Sequence, residues 1–406
     1  VSRLGYDDVA RIDKLDGYTI AVRLKRRFSP FVNVFFTMSN NPVCILPKHL
    51  LSGNRDLTRV PFNIKPVGTG PFKVVEFTHG ARIVLEANPS YWRGAPKLKR
   101  IEWQIVGNDN TILTLLESHG IDFYYRATES LAPSLKGIPG TRIIIYPFTQ
   151  FADIGINASH APLDDVRVRQ ALAYAIDRRE LIEKVSHGIN AIGDTTQPDF
   201  FWAHDPNATK YHYDPKRASA LLDAAGWRIG PDGMRVKAGK PLHLQMTGFT
   251  GSSTVSDAQV IIQQQWRQIG IDTDIKDWPS NELYATLANN GVEQSGRFDV
   301  AYEEWANGID PDDSILVACG MAPPSGWNIY HFCDKRLDAA VTDALQTYDQ
   351  SRRKADYATE QEEIASNLPF IIIWYVRRMD VINTDFANYK PAHAVTPFWN
   401  TWEWSI

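Results

Sequence analysis

The chain has 406 residues, 44% hydrophobic and 22% charged, which is ordinary globular composition but too long for one hydrophobic core and suited to two or three domains. A formal net charge of −4 leaves no basic footprint for nucleic acid. No apolar run approaches the roughly 20 residues needed to cross a bilayer, and the opening VSRLGYDDVA has neither the basic nor the apolar region of a signal peptide, as expected of a processed or truncated chain and equally of a cytoplasmic one.

In chain order, Tyr18–Leu24 alternates apolar and polar residues as a half-buried strand. Residues 28–38 read as a buried helix ending near Asn40-Asn41-Pro42, and 47–51 as a short helix stopped by Gly53. Residues 72–77 and 82–86 form a hairpin turning at His79-Gly80. The G-T-G at 68–70 is no phosphate loop, because no helix follows and Pro71 removes a donor. Ile101, Trp103 and Ile105 mark a strand, Asp109 caps a helix running to Ser118, and 143–146 is a short buried strand.

The stretch 153–188 is the best marked of the chain. Ile154 and Ile156 alternate with polar neighbours as a strand, and Pro162 breaks it. Asp164 or Asp165 then caps one long amphipathic helix, with Val168, Ala171, Leu172, Ala175 and Ile176 on its apolar face and Arg167, Arg169, Arg178 and Arg179 mostly on the other side. Beyond it, Asp214 and Pro215 open a helix closed by Gly226. Strands at 242–246, 271–275 and 298–302 alternate with helices at 257–269 and 281–289. Two charged amphipathic helices, 337–348 and 351–366, precede the continuous apolar run 370–376, which predicts a strand buried on both faces. This alternation predicts an α/β fold.

The run N-x-x-x-x-P-L-D-D-V-R-V-R-Q-A-L-A-Y-A-I-D-R from Asn157, with P-x-G-T-G-P-F from Pro66, N-P-x-Y-W from Asn88 and G-x-P-K-L from Gly94, resembles the extracytoplasmic solute-binding proteins of ABC transporters, in the peptide/nickel/oligosaccharide group called family 5. The resemblance implies a two-lobed periplasmic-binding-protein-like fold of type II, cluster C-like, with two hinge crossings. A first lobe of 1–155 completed by 377–406 would then face a second lobe of 156–376. Relatives of this kind carry a signal sequence and further first-lobe residues before the equivalent of Val1, so the first lobe is expected to be incomplete here, with an exposed edge. The implied function is capture of a small organic ligand (a peptide, an opine-like conjugate or a short oligosaccharide) by a monomer in the periplasm or another extracytoplasmic space, and its delivery to a membrane permease. No enzyme activity, cofactor, metal or nucleic-acid partner is expected.

Spacing alone leaves Cys319 and Cys333 open as a disulfide or as two thiols, and the resemblance implies the disulfide. Three cysteines without a C-x-x-C pair argue against zinc. No H-E-x-x-H, G-x-S-x-G, Walker A or G-x-G-x-x-G motif is present, the histidines are scattered, and no carboxylate pair stands out for hydrolysis. Twelve Trp and 16 Tyr exceed what the core needs, as in proteins that line a site with aromatics.

The candidate ligand site is Tyr302 to Asp312, where a strand runs into a Gly/Asp/Pro loop. Peptide-binding relatives place an aspartate for the ligand's α-ammonium group four residues before the Pro. Here Asn307, or Gly308 by counting from Trp305, holds that slot, so a free amine would need Glu303 or Glu304 instead. Asp310 and Asp312 read equally well as loop caps. Phe151, Asp153, Trp374, Tyr375 and Trp202 complete the candidate ligand contacts. The alternatives are the sensor of a cytoplasmic transcription regulator and, less favoured, a hydrolase.

Overall fold

The computed structural model describes residues 5–36 and 44–406. They divide into two compact units, one from the residues up to 35 together with 148–377, the other from 36–147 together with 378–406. Residues 5–35 were expected in the first lobe. Instead Ser29 N donates to Leu345 O at 2.7 Å and Asn33 Nδ2 to Asp310 at 3.0 Å, and both partners belong to the larger unit. A helix covers only Phe31–Phe35 of the run expected over 28–38, and its far end and the expected stop at Asn40-Asn41-Pro42 lie outside the described residues.

In the smaller unit, Phe72–Thr78, Arg82–Ala87 and Arg100–Gln104 form an antiparallel three-stranded sheet. An aromatic cluster centres on Phe123, which packs against Phe386, Tyr389, Phe398 and Trp404. The predicted hairpin turn and the Asp109–Glu117 helix are present, although Asn108 rather than Asp109 caps the helix.

The larger unit is built on a mixed sheet. Its five longer strands are β1 (Thr141–Ile156), β2 (His243–Phe249), β3 (Asp272–Trp278), β4 (Val300–Ala306) and β5 (Phe370–Asn383), in spatial order β3-β2-β4-β1-β5, and the two-residue strands Phe123–Tyr124 and Ala191–Ile192 also pair with β5. β3 and β4 each run parallel to β2, while β4 and β1 are antiparallel. β1 and β5 are neighbours in the sheet and each runs from one unit into the other. They are 16 and 14 residues long, where two short strands were expected. In β1, Pro147 and the polar residues Thr149, Gln150 and Asp153 interrupt the apolar signal without ending the extended backbone.

Both faces of the central strands are covered within the larger unit, so β4, the second half of β1 and residues 370–375 of β5 lack a solvent side, while edge strand β3 stays partly exposed. Ile154, Ile156, Val300, Tyr302, Ile371 and Ile373 point into one core, and Phe151, Ala301, Phe370 and Ile372 into another. The first is closed by α1 (Val166–Tyr174), α2 (Arg178–Val185), α3 (Pro215–Ala224) and α4 (Ser253–Gln268). The second is closed by α5 (Lys335–Gln346) and α6 (Gln350–Asn367). The single long helix expected from 165 is two, because Asp177 caps a fresh start by accepting from Arg179 N and Glu180 N. Two of its arginines also face inward: Arg169 donates to Asn367 O and Leu163 O, and Arg178 to Asp194 and Tyr211 O. Cys319 and Cys333 form a disulfide, with 4.8 Å between their Cα atoms.

Candidate functional site

β4 leaves the core at Tyr302 and carries Glu303, Glu304 and Trp305 to its open end. The antiparallel register sets Glu303 directly across from Asp153 on β1, and Trp305 across from Phe151. Two carboxylates opposed across strands repel one another, and a hydrogen bond from the Tyr284 side chain offsets part of this at Glu303. A pocket of ≈ 200 Å³ opens here, lined by Asp153, Glu303, Glu304 and Trp305 from the two strands, Tyr284 and Glu293 from the segment after β3, and Leu316, Trp327, Ile329 and Tyr330 from the loop before α5. It contains four carboxyl groups and no Lys, Arg or His.

Asp153 and Glu293 are each 1% exposed. Both Asp153 carboxyl oxygens, one from Glu293 and one from Glu303 are out of reach of solvent and have no hydrogen-bond partner in the protein. Burial raises the Asp153 carboxyl well above the usual range, and Glu303 and Glu304 add to it. Glu303 is likewise raised by burial and then by Glu293, and Glu293 by its own burial. Glu304 differs, since it accepts from Gln150 Nε2 at 2.9 Å.

Of the residues singled out in the sequence, Trp305, Glu303, Glu304 and Asp153 come together in this pocket. The other five lie elsewhere. Asn307 is a structural joint: its Oδ1 accepts from Trp305 Nε1 at 2.7 Å, its Nδ2 donates to Thr196 O, and its backbone pairs with Thr149. Trp374 is fully enclosed in the helix-covered core, edge-on to Tyr302, and Phe151 is enclosed in the opposite core. The Tyr375 hydroxyl accepts from Thr195 N and donates to Gln197 O. Trp202 packs edge-on to Tyr357, with the Arg353 guanidinium over its ring. Asp312 caps Ser314, as expected of a loop cap, whereas Asp310 instead binds Arg353 in a buried ion pair. Sequence reasoning missed Glu293, Tyr284, Trp327 and Tyr330; Tyr284 ends the short helix Ser280–Leu283, which is all that forms at the start of the helix expected over 281–289, and the other three lie in irregular segments with no periodicity to mark them.

Two α/β units joined by a pair of long neighbouring strands, with an aromatic and polar pocket lined in part by one of them, are the build of a two-lobed periplasmic binding protein. The chain belongs to the bacterial extracellular solute-binding proteins, family 5, whose middle-region model matches residues 2–323. Similar curated proteins include the oligopeptide-binding protein AppA of Bacillus subtilis, 26% identical over 98% of this chain and 73% of its own length. The glutathione-binding protein GsiB of Pectobacterium atrosepticum is 27% identical over 90% of this chain and 68% of its own. Among solved structures, NikZ from Campylobacter jejuni in complex with Ni(L-His) superposes with a TM-score of 0.84, at 25% identity over 99% of this chain and 80% of NikZ.

Proposed function

We propose that this chain captures a peptide-like organic solute at the Asp153–Glu303–Trp305 pocket and hands it, chemically unchanged, to an ABC permease in the membrane. The observation that carries the reading is the pocket itself. Aromatic walls and hydrogen-bonding groups without partners are what a small polar ligand needs for contact area and orientation. AppA and GsiB bind an oligopeptide and glutathione, which supports a peptide-like guest over a sugar. β1 and β5 act as paired connectors whose bending lets the ligand favour a closed state by its differential affinity. The Cys319–Cys333 disulfide suits an oxidising, extracytoplasmic compartment and speaks against a cytoplasmic sensor.

Native mass spectrometry after incubation with a mixed tripeptide and oligosaccharide pool tests the assignment. A peptide-mass adduct on wild type that is absent from Trp305→Ala is expected. An oligosaccharide adduct, or a peptide adduct retained undiminished in Trp305→Ala, refutes it.

A further inference from the structure

Four buried acceptor atoms converge on the pocket without a donor: Asp153 Oδ1 and Oδ2, Glu293 Oε1 and Glu303 Oε1. Leaving such atoms unpaired is costly, and more so for groups that carry charge. Among the described residues no group of three or more His, Cys, Asp or Glu is arranged to hold a metal ion, and the aromatic lining suits an organic partner. A partner with positive charge and several N–H groups would pair these atoms and draw the carboxyls into their ionised form. A quaternary ammonium has no N–H, and a primary ammonium has three for four acceptors. A guanidinium has five in a planar fork, and its faces stack on aromatic rings. Trp305, Trp327, Tyr284 and Tyr330 supply those rings.

We infer that this pocket receives a guanidinium group of the ligand, with Asp153, Glu303 and Glu293 as its counter-charges, so that the solute is an arginine-containing peptide or a similar guanidino compound. The inference rests on the reading above that the solute binds at this pocket.

The groups facing the entering cation are Asp153 from β1, Glu303 and Glu304 from β4, Tyr284 and Glu293 from the segment after β3, and Tyr330 from the loop before α5. Burial raises the carboxyls of Asp153, Glu293 and Glu303 and both tyrosine hydroxyls, which favours their neutral forms, and none of these groups can carry a positive charge that would compete. Entry of the guanidinium is balanced by release of carboxyl protons to solvent, and no covalent bond changes. Affinity therefore rises with pH. The Gln150 bond already uses part of Glu304, which makes it the least important of the four carboxylates.

Isothermal titration of the full chain with Ala-Arg-Ala, Ala-citrulline-Ala, Ala-Lys-Ala and agmatine tests this, since citrulline keeps the planar shape of arginine but loses its charge and presents a carbonyl oxygen where arginine presents N–H donors. Ala-Arg-Ala should bind at least about tenfold tighter than Ala-citrulline-Ala, with proton release that scales with the buffer's ionisation enthalpy. The preference should vanish in Glu303→Gln and in Asp153→Asn, both checked for a native melt. Equal binding of the arginine and citrulline peptides overturns the guanidinium assignment while the peptide reading stands, and Ala-Lys-Ala matching Ala-Arg-Ala overturns it in favour of a plain ammonium. Agmatine binding without any tripeptide binding removes the peptide reading; it upholds the guanidinium site where 1,4-diaminobutane, which has ammonium groups alone, binds more weakly, and overturns it where the two bind equally. No binding by any probe overturns both.

Discussion

Asp310→Ala should be among the most damaging single substitutions in the larger unit. The Asp310 carboxylate receives Arg353 Nη2 at 2.6 Å, Arg353 Nη1 at 3.1 Å and Asn33 Nδ2 at 3.0 Å. The two charged side chains are 6% and 9% exposed, so water screens them little. Arg353 also donates to Ala344 O and to the Tyr357 hydroxyl. Burial pulls the guanidinium's pKa down, and Asp310 more than offsets it. Removing the carboxylate leaves a buried charge without its partner, a loss of about 3–5 kcal/mol. Replacing both residues, as Asp310→Ala with Arg353→Met, should recover much of that loss, because no charge is then stranded. Urea unfolding followed by far-UV circular dichroism measures each variant. A loss below about 1 kcal/mol for Asp310→Ala, the range of a solvated pair, or a double variant no more stable than the single, would refute the reasoning. The same loop begins at Asn307, which fixes Trp305, so Asp310→Ala should also weaken ligand binding.

Asp153→Asn should raise the melting temperature of the ligand-free protein at pH 8, and the gain should fade towards pH 4. A carboxyl whose folded pKa is raised binds its proton more tightly when folded, so wild-type stability falls as pH climbs above the ordinary aspartate value of about 4; a gain confined to low pH would contradict this. Breaking the Cys319–Cys333 bridge, by reduction or as the paired serine variant, should cost about 3 kcal/mol for its 14-residue separation, measured by urea unfolding. Gly155→Ala should lower ligand affinity as well as stability, by about 1–3 kcal/mol in stability. Its new Cβ would stand 2.8 Å from the Tyr330 ring, which lines the pocket, and unchanged titration and melting would contradict the contact.

Much of the architecture was legible because it rests on local chemistry. Asp214 and Pro215 start α3 and Gly226 ends it as their cap preferences require. The apolar run at 370–376 is buried on both faces, as a continuous apolar strand should be. What failed locally failed for identifiable reasons. The long helix is cut at Asp177 because a cap there outcompetes continuation, and Arg169 and Arg178 turn inward to backbone carbonyls that no periodicity reveals. The pocket was half legible. Glu303, Glu304 and Trp305 lie in one strand, and Asp153 was flagged by its nearness to the crossing segment. Glu293 and Tyr330 reach them only through the tertiary fold. Trp374, an attractive ligand contact by position, is core, because its strand has no open face at that point.

The central claim is that a solute held at Asp153, Glu303 and Trp305 draws the protein closed about β1 and β5. Small-angle X-ray scattering on one sample, ligand-free and then saturated with the peptide that titration shows to bind, tests it most directly. The radius of gyration should fall for wild type and stay constant for Trp305→Ala at the same peptide concentration. A wild-type profile that does not change with peptide demonstrably bound would contradict the account.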